Sequence, residues 1–187
     1  MAVQIGLSDL HYALLTTDSV TGGATYGEPV RIVGAITANM NPNSSIETLF
    51  ADDGPMETAA SMGQIELETI AADFPLAVQA ILLGHTVGTD GVLKRKSADV
   101  PPWVAIGFKA LKSNGKYRYT WLVKGKYSMP EMGHQTKGDS IEFQTPTMNG
   151  SFVKREADDV WIMQADEDDA AFTGAANWFT AATLAAA

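Results

Sequence analysis

The chain has no cysteine among its 187 residues, which excludes disulfide staples and thiolate metal sites and leaves the redox compartment open. Histidine is scarce. His11, His85 and His134 are scattered, and no His-x-x-x-His or His-Glu-x-x-His spacing offers a zinc pair. All three read as structural; His85 follows a helix-ending glycine, where a cation suits the carbonyl end of a helix. There is no Gly-x-Ser-x-Gly elbow, no phosphate-cradling glycine loop and no dinucleotide fingerprint. Asp52-Asp53 resembles half of an acid–base or metal pair, but Gly54-Pro55 directly after it marks a turn. Asp166–Asp169 lacks the alternating spacing of a calcium loop. The expectation is a non-enzymatic protein without cofactor or metal. Long apolar runs are missing too. The uncharged stretch Ala170–Ala187 is mostly alanine interrupted by threonine, too weakly hydrophobic for a membrane helix. Met1–Gly6 carries no basic residue, and Asp9 and His11 break the apolar run, so no signal peptide is expected.

Bases are nearly absent from the first half. Residues 1–93 hold eleven acids against Arg31 alone. Residues 94–127 invert this, with nine bases, among them Lys94, Arg95, Lys96, Lys112 and Lys116, against Asp99. Residues 128–187 return to ten acids and three bases. The formal charge of −9 argues against a general nucleic-acid binder, although an acidic surface that DNA slides past is compatible with it. Charge sorted into blocks can give a molecule two faces that attract copies head to tail. A solvated basic hairpin on an acidic domain is the simpler reading, and charge alone favours it.

What the sequence does have is strand signal. Leu10–Leu15, Pro29–Ala38, Gln64–Ile70, Trp103–Leu111, Tyr117–Tyr127, Ser140–Phe143, Thr147–Lys154 and Val160–Ala165 read as β-strands. Lys112-Ser113-Asn114-Gly115-Lys116 predicts a hairpin with a type I′ turn, Asn-Gly taking both positive-φ positions. One helix is signalled, with Asp73 as N-cap, Pro75 in the first turn, Leu76, Ala80 and Leu83 on one face and Gly84 as the stop. A second helix is expected in the tail from Asp166, where Phe172, Ala175, Ala176 and Phe179 share a face. Thr37–Gly63 reads as a long loop whose one apolar piece is Leu49-Phe50-Ala51; loops of that length are often functional. Trp103, Tyr117, Tyr119, Trp121 and Tyr127 could stack bases or sugars, but aromatics in strands more often pair across a sheet. With 187 residues the chain fits one domain, 1–165, followed by an arm over 166–187.

Several segments in order are similar to the major tail protein of long-tailed, non-contractile bacteriophages. They are Asp9–Leu14, Gly34–Asn39, Thr48–Pro55, Val78–His85, Val104–Phe108, Ser113–Tyr119 and Phe143–Thr147. No one of them is specific; the ordered set is. The acid- and alanine-rich part after Asp158 has no counterpart in that pattern, and the chain is too short for the C-terminal immunoglobulin-like domain that relatives carry.

The resemblance implies two packed antiparallel sheets, a barrel-like sandwich with one flanking helix. It implies six-membered rings stacked into a hollow, acid-lined tube through which double-stranded DNA passes without specific binding. The implied place is the virion tail, assembled in the host bacterial cytoplasm without membrane. The implied partners are other copies of the chain and the tape measure, distal tail and tail terminator proteins. Contacts between subunits would fall to Leu49, Phe50, Asp52, Asp53, Lys94, Arg95, Lys96, Lys112, Lys116, Phe172, Trp178 and Phe179. Three other readings stand beside it: a carbohydrate- or receptor-binding sandwich with Trp103, Tyr119 and Trp121 as a platform; a tube protein of a bacterial injection system; and, least supported, an enzyme using Asp52, Asp53 and His85.

Overall fold

The computed structural model describes residues 2–136 and 143–186. The strands are β1 (Gln4–Ser19), β2 (Gly23–Tyr26), β3 (Val30–Ile32), β4 (Ala35–Ala51) and β5 (Gly54–Ala71). Helix α1 (Leu76–Leu83) follows, then the short β6 (Thr86–Val87) and β7 (Leu93–Lys94). The chain goes on through β8 (Val104–Lys112), β9 (Tyr117–Tyr127), β10 (Thr147–Phe152) and β11 (Ile162–Asp166). A 3-10 turn at Ala175–Asn177 and helix α2 (Ala181–Ala185) complete it. Strand covers 52% of the chain and helix 9%, so the protein is mainly β, as the strand signals predicted. Among the described residues, nine strands join one antiparallel sheet in the order β2-β1-β8-β9-β10-β5-β4, with β3 beside β1 and β11 beside β9. The strands β6 and β7 make a separate two-stranded sheet.

The large sheet curls. β1 and β4 are far apart in the hydrogen-bonded order yet approach each other in space. Inside the curl lies the main core, where Leu10 and Tyr12 of β1 meet Ile65 and Leu67 of β5, Ile106, Leu122 and Phe152, with Leu82 and Leu83 of α1 alongside. Side chains alternate across a strand, so the neighbours of these residues point the other way. Ala13, Ala105, Trp121 and Val123 form a second core on the outer face of the same strands. The tail covers that face, with Trp178 and Leu184 buried against it. β8 and β9 are therefore buried on both sides, which explains their nearly continuous apolar sequence.

Two glycines make room for large aromatics directly across the ladder. Gly107 pairs with Trp121 and Gly125 with Phe152. A Cβ on Gly107 would lie 2.5 Å from the Trp121 ring, which is fully buried. Gly107→Ala is accordingly expected to lower stability by about 1–3 kcal/mol, read as a shift in the denaturation midpoint. An unchanged midpoint would show that the indole can move.

Several expectations are refined. The 112–116 hairpin forms, but only Gly115 has a positive φ (81°), and its N–H donates to the Lys112 carbonyl. That is a type I turn closed by a left-handed glycine, not type I′. Helix α1 is capped by Pro75, two residues after Asp73, whose side chain makes no cap bond. Gly84 ends it in the left-handed conformation as expected (φ 71°). Leu76, expected on the buried face, is exposed. Pro29–Ala38 divides into β3 and the start of β4, broken at Gly34 (φ 85°). The tail forms a 3-10 turn and a short helix in place of one continuous helix. The strand expected at Ser140–Phe143 falls outside the described residues except for Phe143.

Candidate functional site

Thr37–Gly63 is not an irregular loop. It is most of a β-hairpin in which β4 and β5 pair from Ala35↔Ala71 out to Ala51↔Gly54. Asp52 and Asp53 make the turn, with φ of 50° and 60°. Aspartate tolerates the left-handed region better than most residues, and two successive positive φ values are what a tight hairpin requires. From 41 to 64 every residue except Gly54 is exposed, so the outer half is a ribbon about 30 Å long, solvated on both faces. Hydroxyl pairs join its strands, including Ser45 to Ser61 at 2.7 Å.

The register sorts this arm into two faces. Ile46 opposite Ala60, Thr48 opposite Thr58 and Ser44 opposite Met62 form a neutral face. Glu47 opposite Ala59, Leu49 opposite Glu57 and Ser45 opposite Ser61 form an acidic one. Ile46 and Phe50 are each 69% exposed and Met56 73%. A free two-stranded ribbon is marginal in water, and one carrying this much bare apolar surface is built to be covered.

Five of the nine bases of the 94–127 block pair with carboxylates of the same chain, so the basic hairpin is not merely solvated. Lys109 reaches Asp9 at 2.6 Å and Lys124 reaches Asp18 at 2.7 Å. Lys112 bonds Asp168 and lies 3.4 Å from Asp166; Arg118 grips Asp166 with two hydrogen bonds of 2.7 and 2.6 Å. Lys116 stands 3.9 Å from Asp168. The acidic run 166–169 thus neutralises the 112–118 hairpin. Among the described residues, Lys94, Arg95, Lys96 and Lys126 of that block have no carboxylate partner. Arg95 hydrogen-bonds Gln79 and Met132, and Lys126 lies over the Trp103 ring.

These pairs fix a pH dependence. The Arg118 guanidinium holds Asp166 below the ordinary aspartate value of 3.8, and Lys112 does the same for Asp168. Arg155 lowers Asp158. Burial pushes Asp18 up, but Lys124 and the Glu156 and Ala157 amides outweigh it, so the net shift is downward. A carboxylate lowered on folding contributes stability that is present above its unfolded pKa and lost as pH falls through its folded pKa. Stability is therefore expected to be flat near neutrality and to decline below about pH 4. Denaturation midpoints at pH 7, 5 and 3 check this; a rise at pH 3 would refute it.

The aromatic tail residues expected at a subunit contact lie within the molecule. Trp178 is buried; Phe172 and Phe179 are half-buried. Phe179 stacks on His11 with ring centroids 4.2 Å apart, and the Trp121 indole N–H donates to the Trp178 carbonyl at 3.0 Å. Arg155, also buried, donates to the Leu184 carbonyl at 2.7 Å and pins the end of the tail. Tyr119 and Trp121 are closed off beneath this cover, which removes the sugar platform. The residues of the enzymatic reading do not gather: Asp52 and Asp53 sit at the arm tip, whereas His85, past the end of α1, bonds Asp99 at 2.8 Å. A cavity of about 510 Å³ beside Trp103 is bordered by Lys124, Lys154 and Arg155, each already engaged by a carboxylate. Sequence reasoning singled out Leu49, Phe50, Asp52 and Asp53 but missed Glu47, Glu57 and Ile46, which only the strand register places beside them. Neither a protein-family model nor a curated protein matches this sequence.

Proposed function

We propose that this chain is a structural subunit that assembles with copies of itself, as the tube protein of a long, non-contractile phage tail. The observation that carries the reading is the solvated arm, whose exposed Ile46, Leu49, Phe50 and Met56 are covered by none of the described residues. A curled antiparallel sheet with one helix at its side is compatible with the barrel-like sandwich of such subunits. In this reading six copies close into a ring and rings stack through the arm. The acids of residues 1–93 line a channel that repels phosphate and lets DNA pass. The tape measure, distal tail and terminator proteins would meet the same tube in the virion.

Electron microscopy of the concentrated protein is the direct test. Six-fold rings or tubes are expected. Discrete dimers as the sole assembly would refute the reading, and a channel wall dominated by lysine and arginine would refute the acidic lumen.

A further inference from the structure

Helix α1 reads Leu-Ala-Val-Gln-Ala-Ile-Leu-Leu and is apolar around most of its circumference. Ala80, Leu82 and Leu83 enter the core, while Leu76, Ala77 and Ile81 remain exposed. A helix apolar on all sides is normally covered on all sides. The uncovered side continues past Gly84, against which the Val100 carbonyl packs, to the exposed Val100 side chain. Lys94 pairs with Thr86 two residues past Gly84, and the Lys96 amide bonds the Asp99 carboxylate beside Val100, so both lysines lie at this end of the surface; Arg95 between them donates to Gln79 of α1 at 3.0 Å. Of the acids around α1, Asp99 is engaged by His85 and the Lys96 amide and Asp90 by the Val92 amide, and Asp73 lies before the opposite, N-terminal end of the helix.

The other uncovered surface has the opposite sign. On the acidic face of the arm, Leu49 lies directly across from Glu57 and two residues from Glu47. No base occurs between residues 32 and 93. The two surfaces are both apolar at the centre and complementary in charge at the border, which is the pattern of a specific contact.

We infer that the acidic face of one copy's arm docks on the outer side of α1 in a second copy. Leu49 covers the surface around Ile81 and Val100, and Glu47 and Glu57 face Lys94 and Lys96. Two different patches meet, so the contact is head to tail and repeats from copy to copy. The inference rests on the proposal that the chain self-assembles, and it names the receiving surface.

Charge reversal on each side separates the two claims. One variant carries Glu47→Lys and Glu57→Lys; the other carries Lys94→Glu and Lys96→Glu. Each alone is expected to melt like the parent and to need at least about tenfold more protein to assemble. An equimolar mixture is expected to recover assembly, because each reversed arm then meets an opposite helix border. Assembly of either variant alone at the parent's concentration overturns the docking while leaving self-assembly intact, as does a mixture that fails to recover. No assembly by the unaltered protein overturns both. If a reversed variant does not fold, Glu47→Gln with Glu57→Gln replaces it: its critical concentration is expected to vary less steeply with salt than the parent's, and equal slopes overturn the docking.

Discussion

Replacing residues 43–64 by an Asn-Gly turn is expected to leave a cooperatively folded monomer that forms no tubes. Pro42 and Ile65 are paired across the ladder, so a two-residue turn closes the shortened hairpin in register. None of the removed side chains is buried, and the core begins at Ile65. The loss of fold stability should stay within about 1 kcal/mol. Assembly is another matter. Burying Leu49 and Phe50 against a neighbour contributes on the order of 3–6 kcal/mol per copy before ordering costs, and that term disappears with the arm. Thermal melts by circular dichroism and micrographs of concentrated protein read the two effects separately. Normal tubes from the shortened chain would end the assembly role; loss of the fold would place the arm in the stability of the domain.

Arg155→Ala is expected to cost about 2–4 kcal/mol, because it removes a buried guanidinium that grips the more exposed Asp158 and leaves a buried carbonyl without its donor. The Arg155 guanidinium is 1% exposed and forks onto Asp158. It also donates to the Tyr26 hydroxyl and the Leu184 carbonyl. Removing it leaves a carboxylate and a carbonyl without their donor and loosens the tail over the second core. Arg155→Lys should recover little, since an ammonium cannot reproduce the planar fork. Lys154→Ala, which removes an exposed ion pair next door, should cost less than about 1 kcal/mol. Chemical denaturation of the three variants decides the matter; Arg155→Ala within about 1 kcal/mol of the parent would refute the pinning role.

The parts legible in the sequence are those where packing forces a pattern. β8 and β9 are apolar on both faces, and Trp103–Leu111 and Tyr117–Tyr127 stand out at once. The outer half of β4 and β5 is wet on both faces, so no alternation of polarity marks it, and Ser, Thr and Asn read as loop. Its turn is marked by Asp52-Asp53 before Gly54-Pro55, but the left-handed pair is the two aspartates and not the glycine, so no hairpin signature accompanies it. In the tail, Trp178 and Leu184 are set by a 3-10 turn and a short helix, which have no common period. The cancellation of charge between Lys112 and Asp168 joins residues 56 apart and leaves no local trace. The candidate site is half visible: the apolar Leu49-Phe50 among turn residues announces a contact, whereas the acids that share the face of Leu49 emerge only from the register.

The way the sheet is threaded has a consequence for synthesis. One edge of β1 pairs early, with β2 and β3, but the other, where His11 meets Gly107 of β8, waits while nearly a hundred residues are made. At about 5–20 residues per second that delay is on the order of 5–20 s. The outer face of β9 waits longer, because Trp178 and Leu184 are translated after everything they cover. A nascent chain halted between Tyr127 and Trp178 presents Tyr119 and Trp121 bare beside a finished arm. In that interval the chain is most open to chaperone capture, protease cutting and misplaced pairing with its neighbours on the same message.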